Sequence, residues 1–144
     1  MKTIEIKNRY TNEIIHTFKS ETATIKDAVE DAVKKKISLK EANLYGANLE
    51  NSNFENANFQ NANLINANLY NAILENANFK YANLENSNFK YASLENANLK
   101  NANLINANLD NANLKSANLD NANLYNANLY KANLENADLR NAKL

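Results

Sequence analysis

The chain has 144 residues, with 16 basic and 16 acidic side chains, one histidine, one glycine, and neither cysteine nor proline. Zero net charge removes any blanket electrostatic attraction to nucleic acid or an anionic membrane. The lack of cysteine excludes a disulfide framework and thiolate metal ligands.

Chain order begins with Met1-Lys2-Thr3-Ile4-Glu5-Ile6-Lys7. This segment lacks the apolar run of a signal peptide, and no stretch is long enough to cross a bilayer, so a soluble cytoplasmic protein is expected. Thr3 to Lys7 alternates as a strand does, and so does part of Glu13 to Lys19; the polar Asn8-Arg9-Tyr10-Thr11-Asn12 between them reads as a hairpin connection. Ile25, Ala28, Val29, Ala32, Val33 and Ile37 then recur at helical spacing. Thr24 is a suitable N-cap with Asp27 three residues on, and Lys34-Lys35-Lys36 suits the negative end of a helix dipole. Residues 1–36 therefore predict a β-hairpin and one amphipathic helix. His16 falls in a strand and is expected as a packed or exposed residue, not a general base.

From Ile37 a unit of five residues runs without a phase slip. Leu or Phe occupies every fifth position from 39 to 144, 22 in all. Two residues earlier stands Ala, replaced only by Ile37, Ser52 and Ser87, and Asn usually lies between, as in Ala62-Asn63-Leu64. A disordered asparagine tract would gain nothing from holding a large apolar residue in one phase. A helix turns about 100° per residue, so leucines five apart would scatter around it. A straight strand would flip every second leucine to the opposite face. What remains is a short extended segment carrying Ala and Leu on one side, followed by a corner: an all-β solenoid with those residues inside.

The Ala-Asn-Leu-x-x units resemble the pentapeptide-repeat family across residues 37–144. The resemblance implies a right-handed quadrilateral β-helix with four units per coil. It predicts about five coils and a rod of roughly 25 Å at ~4.8 Å per strand spacing. Residues 1–36 are expected to cap the N-terminal end, since solenoid ends expose strand edges and core. Fully burying each Leu or Phe contributes about 1.5–3 kcal/mol, and Phe54, Phe59, Phe79 and Phe89 are read as plain core. The asparagines are read as structural, through amide ladders and tolerance of turn conformations.

Four units per coil would stack residues twenty apart, sorting those after each Leu or Phe into four outer faces. The first is mostly basic (Lys40, Gln60, Lys80, Lys100, Asp120, Arg140) and the second largely apolar, with Tyr45, Ile65, Ile105 and Tyr125 around Glu85. The third is mixed (Glu50, Tyr70, Lys90, Asp110, Tyr130), and the fourth is an acidic ladder of Glu55, Glu75, Glu95 and Glu135 interrupted by Lys115. The acidic ladder reads as a solvated face; the Tyr/Ile stripe is the candidate contact surface for a protein partner.

No nucleophile, metal cluster or phosphate-binding loop is evident, so no enzyme activity, cofactor or metal is expected. The leading expectation is a non-catalytic scaffold binding an unknown protein. The resemblance implies two further options. Family members often dimerise through a bare C-terminal coil, here Leu129, Leu134, Leu139 and Leu144, and an isologous contact there would close. Others mimic duplex DNA and engage DNA gyrase, conferring quinolone resistance, which requires a strongly acidic surface. The repeats here hold 10 acidic and 8 basic residues, which disfavours that role. Direct nucleic-acid binding is weaker still, with one interrupted basic face, and the threonine ladders of an ice-binding surface are missing.

Overall fold

Alternation sets the first two elements. The computed structural model, which describes all 144 residues, places β1 (Lys2–Lys7) antiparallel to β2 (Ile14–Ser20), with Ile4 opposite Phe18 and Ile6 opposite His16. Asn8 shapes the connection: its Oδ1 accepts the N–H groups of Tyr10 (2.8 Å) and Thr11 (3.1 Å). The helix α1 (Ile25–Lys34) opens with a reciprocal cap. Thr24 Oγ1 accepts the Asp27 N–H at 3.2 Å, and Asp27 Oδ2 accepts the Thr24 N–H at 2.9 Å. Its inner stripe is Ala28, Val29 and Ala32, all fully buried.

The end of α1 starts the solenoid. Ile37 N–H donates to Ala32 C=O and Lys36 N–H to Val33 C=O, both at 2.9 Å, with Lys36 at φ +57°; this is a Schellman stop. Lys36 lies five residues before Glu41, which has φ +60°. The left-handed residue that ends the helix is therefore in phase with every later corner.

Beyond it, bridges join residues twenty apart in parallel, from Asn43 with Asn63 to Asn123 with Lys143. Four pentapeptides thus make one turn of the coil. Each side is three residues, Ala-Asn-Leu, and each corner is the next two. The corner is closed by the Ala N–H donating to the preceding Leu or Phe carbonyl, as from Ala62 to Phe59 at 3.0 Å. Its second residue has positive φ at all 21 positions from 41 to 141, the pattern of a type II turn. Fifteen of these are Asn; the others are Glu41, Gly46, Tyr81, Tyr91, Ser116 and Lys131.

Asparagine therefore has two structural tasks. At the corners it tolerates the left-handed backbone. On the sides it bonds twice: Asn63 Oδ1 accepts the Ile65 N–H at 3.2 Å, and its Nδ2 donates to Asn43 Oδ1 one coil earlier, also at 3.2 Å. The interior is one continuous cluster of buried residues, running from Ile6 and α1 to Leu124. Phe54 meets Phe59 edge-on at 5.7 Å, Phe59 stacks on Phe79 at 5.0 Å, and Phe79 meets Phe89 edge-on at 6.2 Å. Ser52 and Ser87 take the Ala position and are buried with their hydroxyls satisfied, donating to Leu49 C=O (2.6 Å) and Leu84 C=O (2.5 Å).

Residues 1–36 cover the first coil and share the core of residues 37–144. Lys7 C=O accepts the Asn43 N–H (2.8 Å), Arg9 N–H donates to Glu41 C=O (2.7 Å), and the Glu30 carboxylate accepts the Asn53 N–H (3.1 Å). His16 is buried, and its Nε2 lies 2.7 Å from Asp31 Oδ2, tying β2 to α1. No helix is long and apolar enough to cross a membrane.

Candidate interaction surface

The residues that follow each Leu or Phe do not lie on flat faces. A side accommodates only three residues, so the fourth begins the corner and these side chains form edges; the flat walls carry the asparagine ladders. The twenty-residue stacking of the four groups is as the family resemblance implied, but their setting differs.

On the basic edge most charges are spoken for. Lys100 Nζ sits 2.7 Å from Asp120 Oδ2, and Asp120 Oδ1 also accepts from Asn121 Nδ2 (2.7 Å) and Asn141 Nδ2 (3.2 Å). The Lys100 hydrogen bond, then that of Asn141, holds the Asp120 carboxyl below the usual range. Arg140 forks onto Asp138 through Nε (2.9 Å) and Nη2 (2.8 Å). Together with the Arg140 backbone N–H this pulls the Asp138 carboxyl down to about 2.

The Tyr/Ile edge is less continuous than its sequence. Tyr45 and Tyr125 are well exposed, at 62% and 59%, whereas Ile65 and Ile105 are half-buried between them, as is Glu85. The Tyr45 hydroxyl accepts from Asn66 Nδ2 at 3.1 Å. On the mixed edge Lys90 pairs with Asp110 at 2.8 Å, which raises the lysine, and Tyr130 stands free of the wall. The acidic edge is internally bonded: Glu75 accepts from Ser93 Oγ (3.0 Å), Glu95 from Asn113 Nδ2 (3.3 Å), and Glu135 pairs with Lys115 (3.3 Å). Glu55 borders an open groove of about 910 Å³ against α1, with Val33 and Ile37 on its other side. No three His, Asp or Glu side chains gather to hold a metal. In the last coil Leu129, Leu134 and Leu139 are half-buried, and Leu144 is 77% exposed.

The four-edge scheme left out the second corner residue, and with it Tyr81 and Tyr91. Both rings are about half exposed, at left-handed positions where Asn is the rule. Lys80 and Lys90 place their ammonium groups 5.1 Å from these rings. The signal was present in the sequence as tyrosine in asparagine's place.

The pentapeptide-repeat family model matches residues 37–76, 77–115 and 107–144, together three quarters of the chain. The chain belongs to the pentapeptide-repeat family. Among solved pentapeptide-repeat proteins, Rfr23 from the cyanobacterium Cyanothece is 39% identical; the alignment covers 70% of this chain and 82% of Rfr23, with a TM-score of 0.69. HetL from the cyanobacterium Nostoc, a protein involved in the regulation of heterocyst differentiation, is 33% identical over 74% of this chain and 55% of its own, with a TM-score of 0.52. The plasmid-mediated fluoroquinolone-resistance protein QnrB1 is more distant, at 19% identity over 65% of this chain and 63% of its own, TM-score 0.48. No curated protein matches the chain. The pentapeptide-repeat fold here is the right-handed quadrilateral β-helix, preceded by a hairpin and a short helix.

Proposed function

We propose that this pentapeptide-repeat protein is a non-catalytic scaffold that binds another protein through one wall of the coil and its edges. The observation that carries this reading is the display of exposed tyrosines on edges held by coil-to-coil hydrogen bonds. Tyr45, Tyr125 and Tyr130 are each about 60% exposed, while the backbone behind them is bonded at every coil step, as from Asn106 N–H to Tyr125 C=O at 3.0 Å. A rigid aromatic surface loses little conformational entropy on docking. Cross-linked capture from cell extract, with the native chain and with Tyr45, Ile65, Ile105 and Tyr125 changed to Ser, tests the assignment. A partner retained at full yield by the quadruple variant would exclude that edge, and failure of the native chain to capture any protein would remove the scaffold reading.

A gyrase-directed, DNA-mimicking role is the alternative. The repeats carry a net charge of only −2, and all four acidic-edge carboxylates are already bonded to neighbours, Glu55 through Asn56 Nδ2 at 3.4 Å. The low net charge and these engaged carboxylates weigh against a substitute for duplex phosphate. Inhibition of gyrase supercoiling at micromolar concentrations would reverse this preference.

A further inference from the structure

Tyr81 breaks the corner rule, standing where asparagine is usual. Its φ of +60° places a bulky side chain in left-handed backbone that L-residues other than Gly, Asn and Asp avoid. Tyr91 stands at φ +62°, but its ring meets Tyr70 edge-on at 5.6 Å. Tyr81 has no such aromatic neighbour; the Lys80 ammonium lies 5.1 Å from its ring, which stays 49% exposed. A bulky, half-exposed ring held at a left-handed corner with no aromatic partner points to a task outside the fold.

The surroundings indicate which task. Asn61 lies one coil step before Tyr81; its N–H donates to Lys80 C=O at 2.9 Å, and its own C=O accepts from Arg9 Nη1 at 3.2 Å. The hairpin connection thereby sets Arg9 beside this edge, with its guanidinium 5.0 Å from the ring of Tyr10, which is 67% exposed. Acidic groups nearby are already engaged. Glu41 accepts from Asn8 Nδ2 (3.1 Å) and lies 3.7 Å from Lys40 Nζ, and Asp120 pairs with Lys100 at 2.7 Å. Arg9 and Lys80 are left without carboxylate partners, each against an exposed tyrosine ring.

We propose that Arg9, Tyr10, Lys80 and Tyr81 form the docking point for an acidic segment of a partner protein. Its carboxylates pair with Arg9 and Lys80, and its apolar side chains pack on the two rings. The inference rests on the protein-binding reading above and names the chemistry of what binds. A protein segment fits better than a nucleic-acid strand, because two unpaired cations on a chain of zero net charge release few counterions.

The test uses the full chain and a fluorescein-labelled peptide of alternating Asp, Glu and Phe, read by anisotropy. A matched Asn, Gln and Phe peptide and an oligo(dT) strand are the comparisons. Binding of the acidic peptide is expected to weaken about tenfold in Tyr81→Asn and again in Lys80→Gln, and to weaken as salt rises from ~0.1 to ~0.5 M. Tyr81→Asn restores the favoured corner residue, so its stability is expected to rise while its binding falls, which separates lost docking from lost folding. No binding of the acidic peptide, equal binding of the amide peptide, tighter binding of oligo(dT), or unchanged binding in Tyr81→Asn would each overturn the proposal. None of these results bears on whether the native chain captures a protein in extract, so the scaffold reading stands or falls separately.

Discussion

Phe59 and Phe79 stack nearly parallel, ring centroids 5.0 Å apart, at positions one coil step apart in the interior. The contact is the period of the fold made visible: twenty residues of chain return the backbone to the same side. Because Phe79 also meets Phe89 edge-on, one ring ties two sides of the coil together. Phe79→Ala is expected to destabilise the protein by about 3–5 kcal/mol, and Phe79→Leu, matching most other units, by less than about 1.5 kcal/mol. The shift in the urea midpoint measures both; equal effects of the two substitutions would refute the packing account.

The two corner tyrosines are expected to differ. Tyr91→Asn relieves a left-handed backbone but forfeits the edge-on contact with Tyr70, so its stability should change by less than about 0.5 kcal/mol. Tyr81→Asn has no aromatic contact to lose, only the Lys80 ammonium over its ring, and should stabilise by up to roughly 1 kcal/mol. Thermal midpoints of the two variants side by side check the order; a larger gain at Tyr91 would contradict it.

Acid should weaken the protein through particular carboxylates. Asp138 is pulled from 3.8 to about 2 by Arg140, and Asp120 and Asp31 are lowered by Lys100 and Lys35 respectively as their largest causes. Each binds fewer protons folded than unfolded, so its stabilisation is present above the unfolded value near 3.8 and is lost as the pH falls toward the folded one. Stability measured from pH ~5 down to ~2 is expected to decline, with a shallower slope in Asp138→Asn. An unchanged slope would mean that the Arg140 fork is not maintained in solution.

The last coil offers a test of self-association. Leu129, Leu134 and Leu139 are half-buried and Leu144 is exposed, so a two-fold contact between two such ends would cover apolar surface and unpaired strand edge together. We propose this contact for the 144-residue chain, for which light scattering would report a dimer, and a monomer for Leu139→Glu with Leu129→Glu. A native chain that remains monomeric at high protein concentration would dismiss the contact.

Much of this architecture was legible beforehand because local physics enforces it. Thr24 with Asp27 marks a helix start in any context, and an unbroken five-residue spacing from Leu39 to Leu144 admits neither a helix stripe nor a flat strand. What a side chain meets across the coil is a different matter. A period of five says which way a residue departs from the backbone, but not how many units close a turn or which residue lies one step above. Only the stacked coil joined Lys100 to Asp120 as an ion pair, half-covered Ile65 and Ile105, moved the outer residues from walls to edges, and set Arg9 of the hairpin next to Asn61. Inward burial is decided within each unit, whereas surface pairing is decided between units twenty residues apart, where the sequence carries no local mark of adjacency.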